Sequence, residues 1–250
     1  MVSWLSGDFV FFKKYAIIQQ YSGYAVIQKN IEIIRKKIAD SCMSTGRQPD
    51  GVTLLAVTKT INACMIREAI LAGVTDIGES RLQEAQAKFA ELGGCLGGVR
   101  RHFIGHLQTN KAKKAVELFD VIQSLDSVRL AEELNAQAAR INKIQECFVE
   151  LKVSGEDTKF GVAPADAGEF IRSVGSFTNI RVSGLMAMAP YFDDEKSARP
   201  FFRIAHGVFE ALRASHNLKT LSMGMSGDFE QALAEGATMV RIGTAIFGER

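Results

Sequence analysis

The sequence predicts a single closed (β/α)8 barrel of the TIM type, with an extra helix ahead of the first strand. From residue 52 onward, short apolar runs alternate eight times with longer amphipathic segments. Such alternation gives parallel strands joined by right-handed helical crossovers. The length of 250 residues is one at which these barrels form a single unit. No G-x-G-x-x-G follows the first strand, which argues against an open dinucleotide-binding sheet.

The predicted elements follow this alternation in order. A helix over residues 24–42 comes first, because Ile27, Ile31, Ile34 and Ile38 recur at helical spacing. The eight predicted strands are residues 52–59, 75–78, 102–105, 121–124, 146–153 and 180–186, a short run from Leu221, and residues 239–242. The helices between them are residues 62–72, 81–92, 110–118, 127–141, 164–174, 195–215 and 229–235.

Several helix ends carry residues typical of caps. Asp126 and Asp228 each directly precede a predicted helix, where a side-chain oxygen can accept a hydrogen bond from a free backbone N–H group. Gly73, Gly93 and Gly236 follow predicted helices, as glycine does where the backbone turns left-handed. These residues predict where the helices begin and end.

Residues 1–22 fall outside the barrel pattern. They contain a Phe-Val-Phe-Phe run followed by two lysines, without the order of charges, apolar run and cleavage site of a secretory signal. We interpret residues 1–22 as an N-terminal extension, disordered in part or lying across the barrel. Residues 23–250 then form the barrel domain.

Composition excludes several classes of function. The chain is 47% apolar and 23% charged, which is ordinary for a protein with a large core. A net charge of +2 is too small to indicate nucleic acid or an anionic membrane as partner. The four cysteines are far apart with no C-x-x-C, which suits a reducing cytoplasm. His102 and His106 lack a clear third ligand, so we expect no metal site.

Lys59, at the end of the first predicted strand, is the first candidate for chemistry. Counting back in twos, Val57 and Leu55 share its face, so the lysine should point inward over the barrel mouth. A desolvated lysine there can act as a Schiff-base nucleophile. The alternative is a lysine that extends from the strand end into solvent.

Two glycine turns follow the last two strands. Each places glycine beside serine or threonine, at Ser226 and Gly227 and at Gly243 and Thr244. Backbone N–H groups and hydroxyls there could bind an anion, and barrels commonly bind phosphate on these two loops. The alternative is two ordinary turns. A lysine facing a phosphate site across the mouth is what pyridoxal phosphate requires.

Arg241, on the last predicted strand, is the other informative charge. It alternates inward with Met239 and must find a partner, since an unpaired buried charge is unfavourable. A structural salt bridge is one explanation. The other is a pyridine nitrogen, which an arginine donor would keep unprotonated and therefore weaker as an electron sink. Glu79 and Arg81, after the second strand, are either an exposed pair or groups that shape the mouth.

Together these residues resemble the pyridoxal-phosphate homeostasis protein family, single-barrel relatives of the alanine racemase N-terminal domain. The matches run in order from about residue 24 to the C-terminus. They include Leu-Ala-Val-Thr-Lys-Thr at 55–60, Ile-Gly-Glu-Ser-Arg at 77–81, His-Phe-Ile-Gly-His-Leu-Gln at 102–108, Leu-Ser-Met-Gly-Met-Ser at 221–226 and Val-Arg-Ile-Gly-Thr at 240–244. Ser80 stands where the family usually has asparagine, and Arg101 where an aromatic residue is common.

The resemblance implies that Lys59 forms the internal aldimine with pyridoxal 5'-phosphate. Ser226, Gly243 and Thr244, with Ser222, would hold the phosphate, and Arg241 would face the pyridine nitrogen. The residues implied at the cofactor are Lys59, Ser80, Ser222, Met225, Ser226, Arg241, Gly243 and Thr244, with no catalytic residue and no metal ligand.

Two functions are compatible with a pyridoxal phosphate site: a carrier of the cofactor and an enzyme that uses it. Racemisation needs acid/base groups on both faces of the substrate carbanion. Alanine racemases take the second group from a tyrosine that an added β-domain and a partner subunit supply. This sequence stops at Arg250, just beyond the eighth predicted strand, so we expect no such domain here. Its tyrosines, at 15, 21, 24 and 191, are not at a strand end that would obviously serve. We therefore expect a non-catalytic carrier of pyridoxal phosphate, with a racemase-like enzyme as the alternative. A Schiff-base aldolase without cofactor would leave Arg241 unexplained.

The carrier interpretation implies partners as well as a ligand. We expect the protein to release pyridoxal phosphate to apo-enzymes that need it, and to be a cytoplasmic monomer. We expect no nucleic-acid or membrane partner.

Overall fold

Eight parallel strands form a closed barrel in chain order, as predicted. The computed structural model describes residues 7–154 and 160–249, with side chains from Ala25 onward. The strands are β1 (Thr53–Val57), β2 (Asp76–Glu79), β3 (Arg100–Phe103), β4 (Val121–Leu125), β5 (Gln145–Leu151), β6 (Ile180–Ala187), β7 (Thr220–Ser222) and β8 (Met239–Ile242). β1 pairs with β8 through Leu55 and Arg241, which closes the barrel.

Helices surround the barrel. They are α1 (Gly7–Ser44), α2 (Ala63–Leu71), α3 (Leu82–Leu92), α4 (Ala112–Leu118), α5 (Val128–Arg140), α6 (Ala167–Val174), α7 (Arg199–His216), α8 (Phe229–Ala234) and α9 (Thr244–Phe247). The short α9 was not predicted, because four residues are too few for a periodic apolar pattern. In the described part of the chain, no helix is long and apolar enough to cross a membrane.

α1 packs on the outside of the barrel against α2, α8 and α9. Its isoleucines at 27, 31, 34 and 38 are at most 5% exposed, so the predicted apolar face is the buried one. The helix begins at Gly7, inside the segment interpreted as an extension. The division at residue 22 stays a prediction, and residues 1–6 lie outside the described residues.

Two predicted helix caps were wrong in detail. Ser127, not Asp126, caps α5, since the Ser127 hydroxyl accepts a hydrogen bond from the N–H of Leu130. Asp228 precedes α8 but makes no side-chain cap; its Oδ1 accepts from the N–H of Met225 at 2.6 Å.

β1 ends two residues earlier than predicted. The N–H of Ile61 bonds to the carbonyl of Thr58 at 3.0 Å, so residues 58–61 form a tight turn. Thr60 takes a left-handed backbone angle there, with φ of 65°. Lys59 therefore stands in a turn just beyond the strand, at the end of the barrel where all eight strands terminate.

The barrel interior has an apolar and a polar part. Side chains from five strands form the apolar cluster: Leu55, Val57, Val121, Phe148, Met186 and Met239. The buried polar residues Asp76, His102, Gln123, Ser222 and Arg241 lie on β2, β3, β4, β7 and β8. Each of these polar residues makes at least one side-chain hydrogen bond to another of them, and Arg241 extends from this part to the mouth.

Candidate functional site

A cavity of about 440 Å³ opens at the carboxyl ends of the strands. Ligand pockets generally measure about 300–1,000 Å³. Seven of the eight residues implied by the resemblance line it: Lys59, Ser80, Met225, Ser226, Arg241, Gly243 and Thr244. They come from the loops after β1, β2, β7 and β8, from β8 itself and from the first residue of α9. Barrel closure therefore brings together residues up to 185 positions apart, the difference between 244 and 59.

Lys59 lines this cavity from the turn after β1. It is exposed to the cavity and solvent, whereas Thr58 is fully buried. The backbone N–H of Thr58 bonds to the carbonyl of Gly78 at 2.9 Å, which continues the β1–β2 pairing up to the lysine. The backbone position of Lys59 is thus set by the β1–β2 pairing before it and by the turn over residues 58–61.

Two backbone N–H groups converge on one hydroxyl in the loops after β7 and β8, and β8 is the neighbour of β1, which precedes Lys59. Ser226 Oγ accepts hydrogen bonds from the N–H of Gly243 at 3.1 Å and of Ala245 at 3.4 Å. Thr244, between these two residues, also lines the cavity. Hydroxyls and N–H groups gathered at one place suit an anion such as a phosphate.

The loop that carries Ser226 is held at both ends. Gly224 has φ of 90°, and an added Cβ would lie 2.6 Å from the Cβ of Ala232, so glycine is required. Its carbonyl accepts from the N–H of Arg241 at 2.9 Å. Asp228 closes the other side through the N–H of Met225. Burial raises the pKa of the Asp228 carboxyl.

Arg241 reaches the cavity from β8 and is 4% exposed. Nη1 donates to the carbonyl and hydroxyl of Ser222, at 2.8 and 2.9 Å, and Nη2 to the carbonyl of Ala187 at 2.9 Å. Nε makes no hydrogen bond to any residue that the structure describes. Burial lowers the pKa of Arg241 to about 10, against the charges of Asp228 and Glu150, so the side chain is cationic at neutral pH.

No carboxylate forms an ion pair with Arg241 among the described residues, so the structural salt bridge considered above is not found there. The guanidinium is held by neutral oxygen atoms. Such contacts fix its direction without neutralising its charge. Three of its five N–H donors are used in these bonds, so a cation with two N–H donors left over stands at the cavity wall and can donate to a ligand acceptor.

Ser222 lies below the cavity and is absent from its lining. Its hydroxyl donates to Gln123 Oε1 at 2.7 Å and accepts from Arg241. Gln123 Nε2 lies 3.0 Å from His102 Nδ1, and His102 Nε2 lies 2.8 Å from Asp76 Oδ1. Burial opposes ionisation of Asp76, but hydrogen bonds from His102 and Thr75 hold its pKa below the usual value. The chain of contacts supports Arg241 from beneath.

Several cavity residues were missed by the sequence analysis. Tyr191, Asp193 and Glu195 line the cavity from the segment between β6 and α7. Tyr191 therefore lies at the cavity rim, where it is 89% exposed, and the expectation that no tyrosine serves as an acid/base group stays a prediction. The sequence did hold one signal for Tyr191: it follows the apolar sixth strand by a few residues, and the loops after barrel strands line the mouth.

A smaller chamber of about 170 Å³ adjoins the cavity and shares Ile104 and Met188 with it. Glu150 lines this chamber and is 8% exposed. Burial, with the nearby charge of Asp126, raises the pKa of Glu150 to about 7, while Arg241 opposes the rise. The sequence offered no signal for it beyond a charge inside a predicted strand.

The remaining candidates serve other contacts. The ring of His106 stacks on Phe160 with centroids 3.5 Å apart, and His102 is buried in the interior chain. No group of three His, Cys, Asp or Glu within residues 7–154 and 160–249 could hold a metal ion. Arg101 pairs with Asp120 at 2.9 Å, in β3 and just before β4, away from the mouth.

The fold and cavity place the chain among barrels of the alanine racemase type. The family model described as alanine racemase, N-terminal domain, matches residues 25–250. An alanine racemase of Clostridium difficile has a TM-score of 0.73 at 11% identity, covering 90% of this chain and 60% of that one. At that identity the likeness shows the fold alone.

More similar relatives narrow the family. A protein of Pseudomonas aeruginosa is 40% identical over 232 residues, covering 90% of this chain and 96% of the relative. One of Aquifex aeolicus is 39% identical over 219 residues, covering 87% and 95%. Both are named pyridoxal phosphate homeostasis protein. The structure of PipY from Synechococcus elongatus with pyridoxal phosphate bound has a TM-score of 0.74 at 38% identity, covering 84% of this chain and all of that one. The chain belongs to the pyridoxal phosphate homeostasis protein family.

Proposed function

We propose that the protein binds pyridoxal 5'-phosphate and takes part in controlling the level of that cofactor, holding it reversibly at Lys59. One observation carries this proposal: Lys59 lines the same cavity as Ser226, Gly243 and Thr244. Arg241 lines it too, and its Nε makes no hydrogen bond to any residue that the structure describes. Pyridoxal phosphate has an aldehyde, a phosphate and a pyridine nitrogen. The amine, the N–H groups and the arginine suit these three groups in turn. The bound cofactor of PipY supports the proposal.

Each lining residue has a role in this proposal. Lys59 supplies the amine that condenses with the aldehyde. Ser226, Gly243 and Thr244 bind the phosphate, while Ser80 and Met225 form walls of the cavity. Ser222 acts one step removed, because its hydroxyl is already bonded to Gln123 and Arg241.

Arg241 faces the pyridine nitrogen in this proposal. When bound, the cofactor supplies an electrophilic carbon and an electron-accepting ring. Arg241 is cationic and can only donate, so it keeps the ring nitrogen unprotonated and limits electron withdrawal. This favours holding and releasing the cofactor over carbanion chemistry.

The binding experiment uses visible absorption, borohydride reduction and peptide mapping. We expect the purified protein to be yellow and the reduced pyridoxyl group to be on Lys59. Lys59→Ala should abolish that label, whereas Lys152→Ala, in the adjoining chamber, should not. A label mainly on another lysine would contradict the assignment of Lys59.

A racemase-like activity is the second candidate, because Tyr191 lines the cavity and could exchange a proton. We favour the carrier: Tyr191 is 89% exposed and nothing buries it, whereas catalytic groups are held in place. Exchange of the α-hydrogen of L-amino acids in deuterium oxide, followed by NMR, separates the two. Fast exchange that is lost in both Lys59→Ala and Tyr191→Phe would support the enzyme.

We further propose that apo-enzymes receive the cofactor and that the protein is a cytoplasmic monomer. All four cysteines are free, which supports a reducing compartment. Mixing loaded protein with an apo-enzyme, with and without a dialysis membrane between them, tests whether transfer needs contact.

A further inference from the structure

We infer that Lys88 is a positioning residue for Lys59: together with Glu79 and Glu84 it clamps the turn at residues 58–61 and fixes where the lysine amine stands. This inference rests on the proposed role of Lys59. It assigns a function to Glu79, which does not itself line the cavity.

The turn that carries Lys59 is one that its own sequence disfavours. Lys59 and Thr60 are its two central residues, closed by the bond from Ile61 N–H to the Thr58 carbonyl. The second central position has φ of 65°, where glycine or asparagine is preferred. Thr60 is β-branched, and such a residue at positive φ is an outlier. Contacts from elsewhere must therefore hold the turn.

Lys88 supplies those contacts from α3. Its Nζ lies 2.6 Å from the carbonyl oxygen of Thr58, 2.8 Å from Glu79 Oε1 and 2.6 Å from Glu84 Oε1. An ammonium group has three N–H donors, and all three are used here. The residue is 9% exposed, so water does not compete freely for these bonds.

Glu84 completes the clamp on the other side of Lys59. Its Oε1 also accepts a hydrogen bond from the backbone N–H of Thr60. Burial opposes ionisation of Glu84, but Lys88 and the Thr60 N–H hold its pKa below the usual value. The same ion pair thus binds the carbonyl before Lys59 and the amide after it.

Glu79 ties the clamp to the barrel. It is fully buried at the end of β2, and Thr58 Oγ1 donates to its Oε1 at 2.8 Å. Burial raises the pKa of Glu79, against hydrogen bonds from Lys88 and Thr58. Removing Lys88 would leave two carboxyl groups and a carbonyl without their shared donor. The turn would lose its bond at the Thr58 carbonyl, and Glu84 would lose the ion pair that holds it beside the Thr60 N–H.

The test separates covalent bonding at Lys59 from binding of the rest of the cofactor. Pyridoxal 5'-phosphate reports the first. Pyridoxine 5'-phosphate, which has an alcohol in place of the aldehyde and cannot condense with an amine, reports the second. We expect Lys88→Met to slow bond formation by about ten- to a hundredfold, the effect of displacing a reacting group by about 1 Å. The affinity for pyridoxine phosphate should stay at the wild-type value.

Lys143→Met is the matched control. Lys143 is half-buried and its ammonium group, like that of Lys88, is held by backbone carbonyls, here those of Val116 and Phe119, but it lies just before β5, at the other end of the barrel. It should lower the melting temperature and leave bond formation unchanged. Glu84→Gln, which keeps an oxygen for the Thr60 N–H and loses the charge, should give a smaller slowing and serves if Lys88→Met does not fold.

Three outcomes would overturn the inference. Bond formation at the wild-type rate in Lys88→Met or, should that variant not fold, in Glu84→Gln would show that the clamp does not position Lys59. Equal loss of both probes, in step with the melting temperature, would make Lys88 a structural residue only. If wild-type protein forms no bond at Lys59, the proposed function itself fails, and the inference with it.

Discussion

Arg241 shows how a single residue can be buried, charged and still available to a ligand. Its two terminal nitrogens bind Ser222 and Ala187, which are neutral, so its charge is not cancelled by a carboxylate. Burying an unpaired charge is unfavourable, and part of that penalty appears as the lowered pKa. An acceptor in the cavity would recover part of it.

At the residue scale, the proposed binding of phosphate by Ser226 and Thr244 can be tested by removing their hydroxyl groups. Thr244→Val and Ser226→Ala should each weaken pyridoxine phosphate binding by roughly ten- to a hundredfold. Each removes a hydrogen bond to a charged group, worth about 1.5–3 kcal/mol. Titration calorimetry measures the affinity.

Thr178→Val is the matched control for that pair. Thr178 is exposed just before β6, at the opposite end of the barrel. Its substitution should leave the affinity unchanged. Wild-type affinity in the double variant Ser226→Ala/Thr244→Val would mean that the phosphate binds elsewhere.

Glu150 gives a prediction of pH dependence. Its pKa rises from 4.5 to about 7 on folding. Between these values the folded protein holds a proton that the unfolded chain releases, so stability falls as pH rises through this window. Glu150→Gln cannot ionise. It should raise the free energy of unfolding at pH 8 by up to about 3 kcal/mol and change it little near pH 4.5. Urea unfolding at the two pH values checks this, and an equal effect at both would contradict it.

At the scale of elements, the loop between β7 and α8 positions Ser226 in the cavity lining. Gly224→Ala would force a residue with a Cβ into φ of 90° and against Ala232. The backbone strain alone should lower the free energy of unfolding by about 1–3 kcal/mol. Weaker pyridoxine phosphate binding should accompany it, because the loop carries Ser226.

Gly207→Ala is the control, and we expect it to raise the free energy of unfolding where Gly224→Ala lowers it. Gly207 lies within α7, and an added Cβ there meets no atom within 4 Å. Alanine should therefore stabilise the helix by roughly 0.5–1 kcal/mol. Denaturant titration of both variants gives the comparison; equal stability of Gly224→Ala and wild type would show that the loop tolerates a side chain.

At the scale of the whole molecule, α1 joins the first and last parts of the barrel wall. Asn30 donates to the carbonyl of Ile246 in α9 at 2.9 Å, and Lys37 pairs with Glu230 in α8 at 2.7 Å. Among its described side chains, the buried ones begin at Ile27. From Ile27 onward, the buried face of α1 therefore packs on the barrel wall.

Deletion of residues 1–22 should leave the melting temperature and pyridoxine phosphate affinity unchanged. Ile31→Ala should instead destabilise the protein by about 2–5 kcal/mol, because Ile31 is fully buried in the face against the barrel. Thermal unfolding followed by circular dichroism distinguishes the two. A large loss on deletion would mean that the extension is part of the folded domain.

The sequence by itself determined the fold class and seven of the residues that line the cavity. Alternating apolar runs fix the order of strands and helices, and parallel strands in a closed barrel must end at one mouth. Lys59 and Thr244 could therefore be placed at the same cavity although their separation in sequence is large. Their types, an amine and a hydroxyl beside glycine, indicated the chemistry.

Only the tertiary structure decided how those residues are held. That Ser222 supports Arg241 from beneath, that Tyr191 reaches the rim and that Lys88 clamps the turn at Lys59 all depend on distances between distant segments. A local pattern reports which side of an element a residue occupies. It does not report which partner stands opposite, because hydrogen bonds are set to within tenths of an ångström by the packing of the whole barrel.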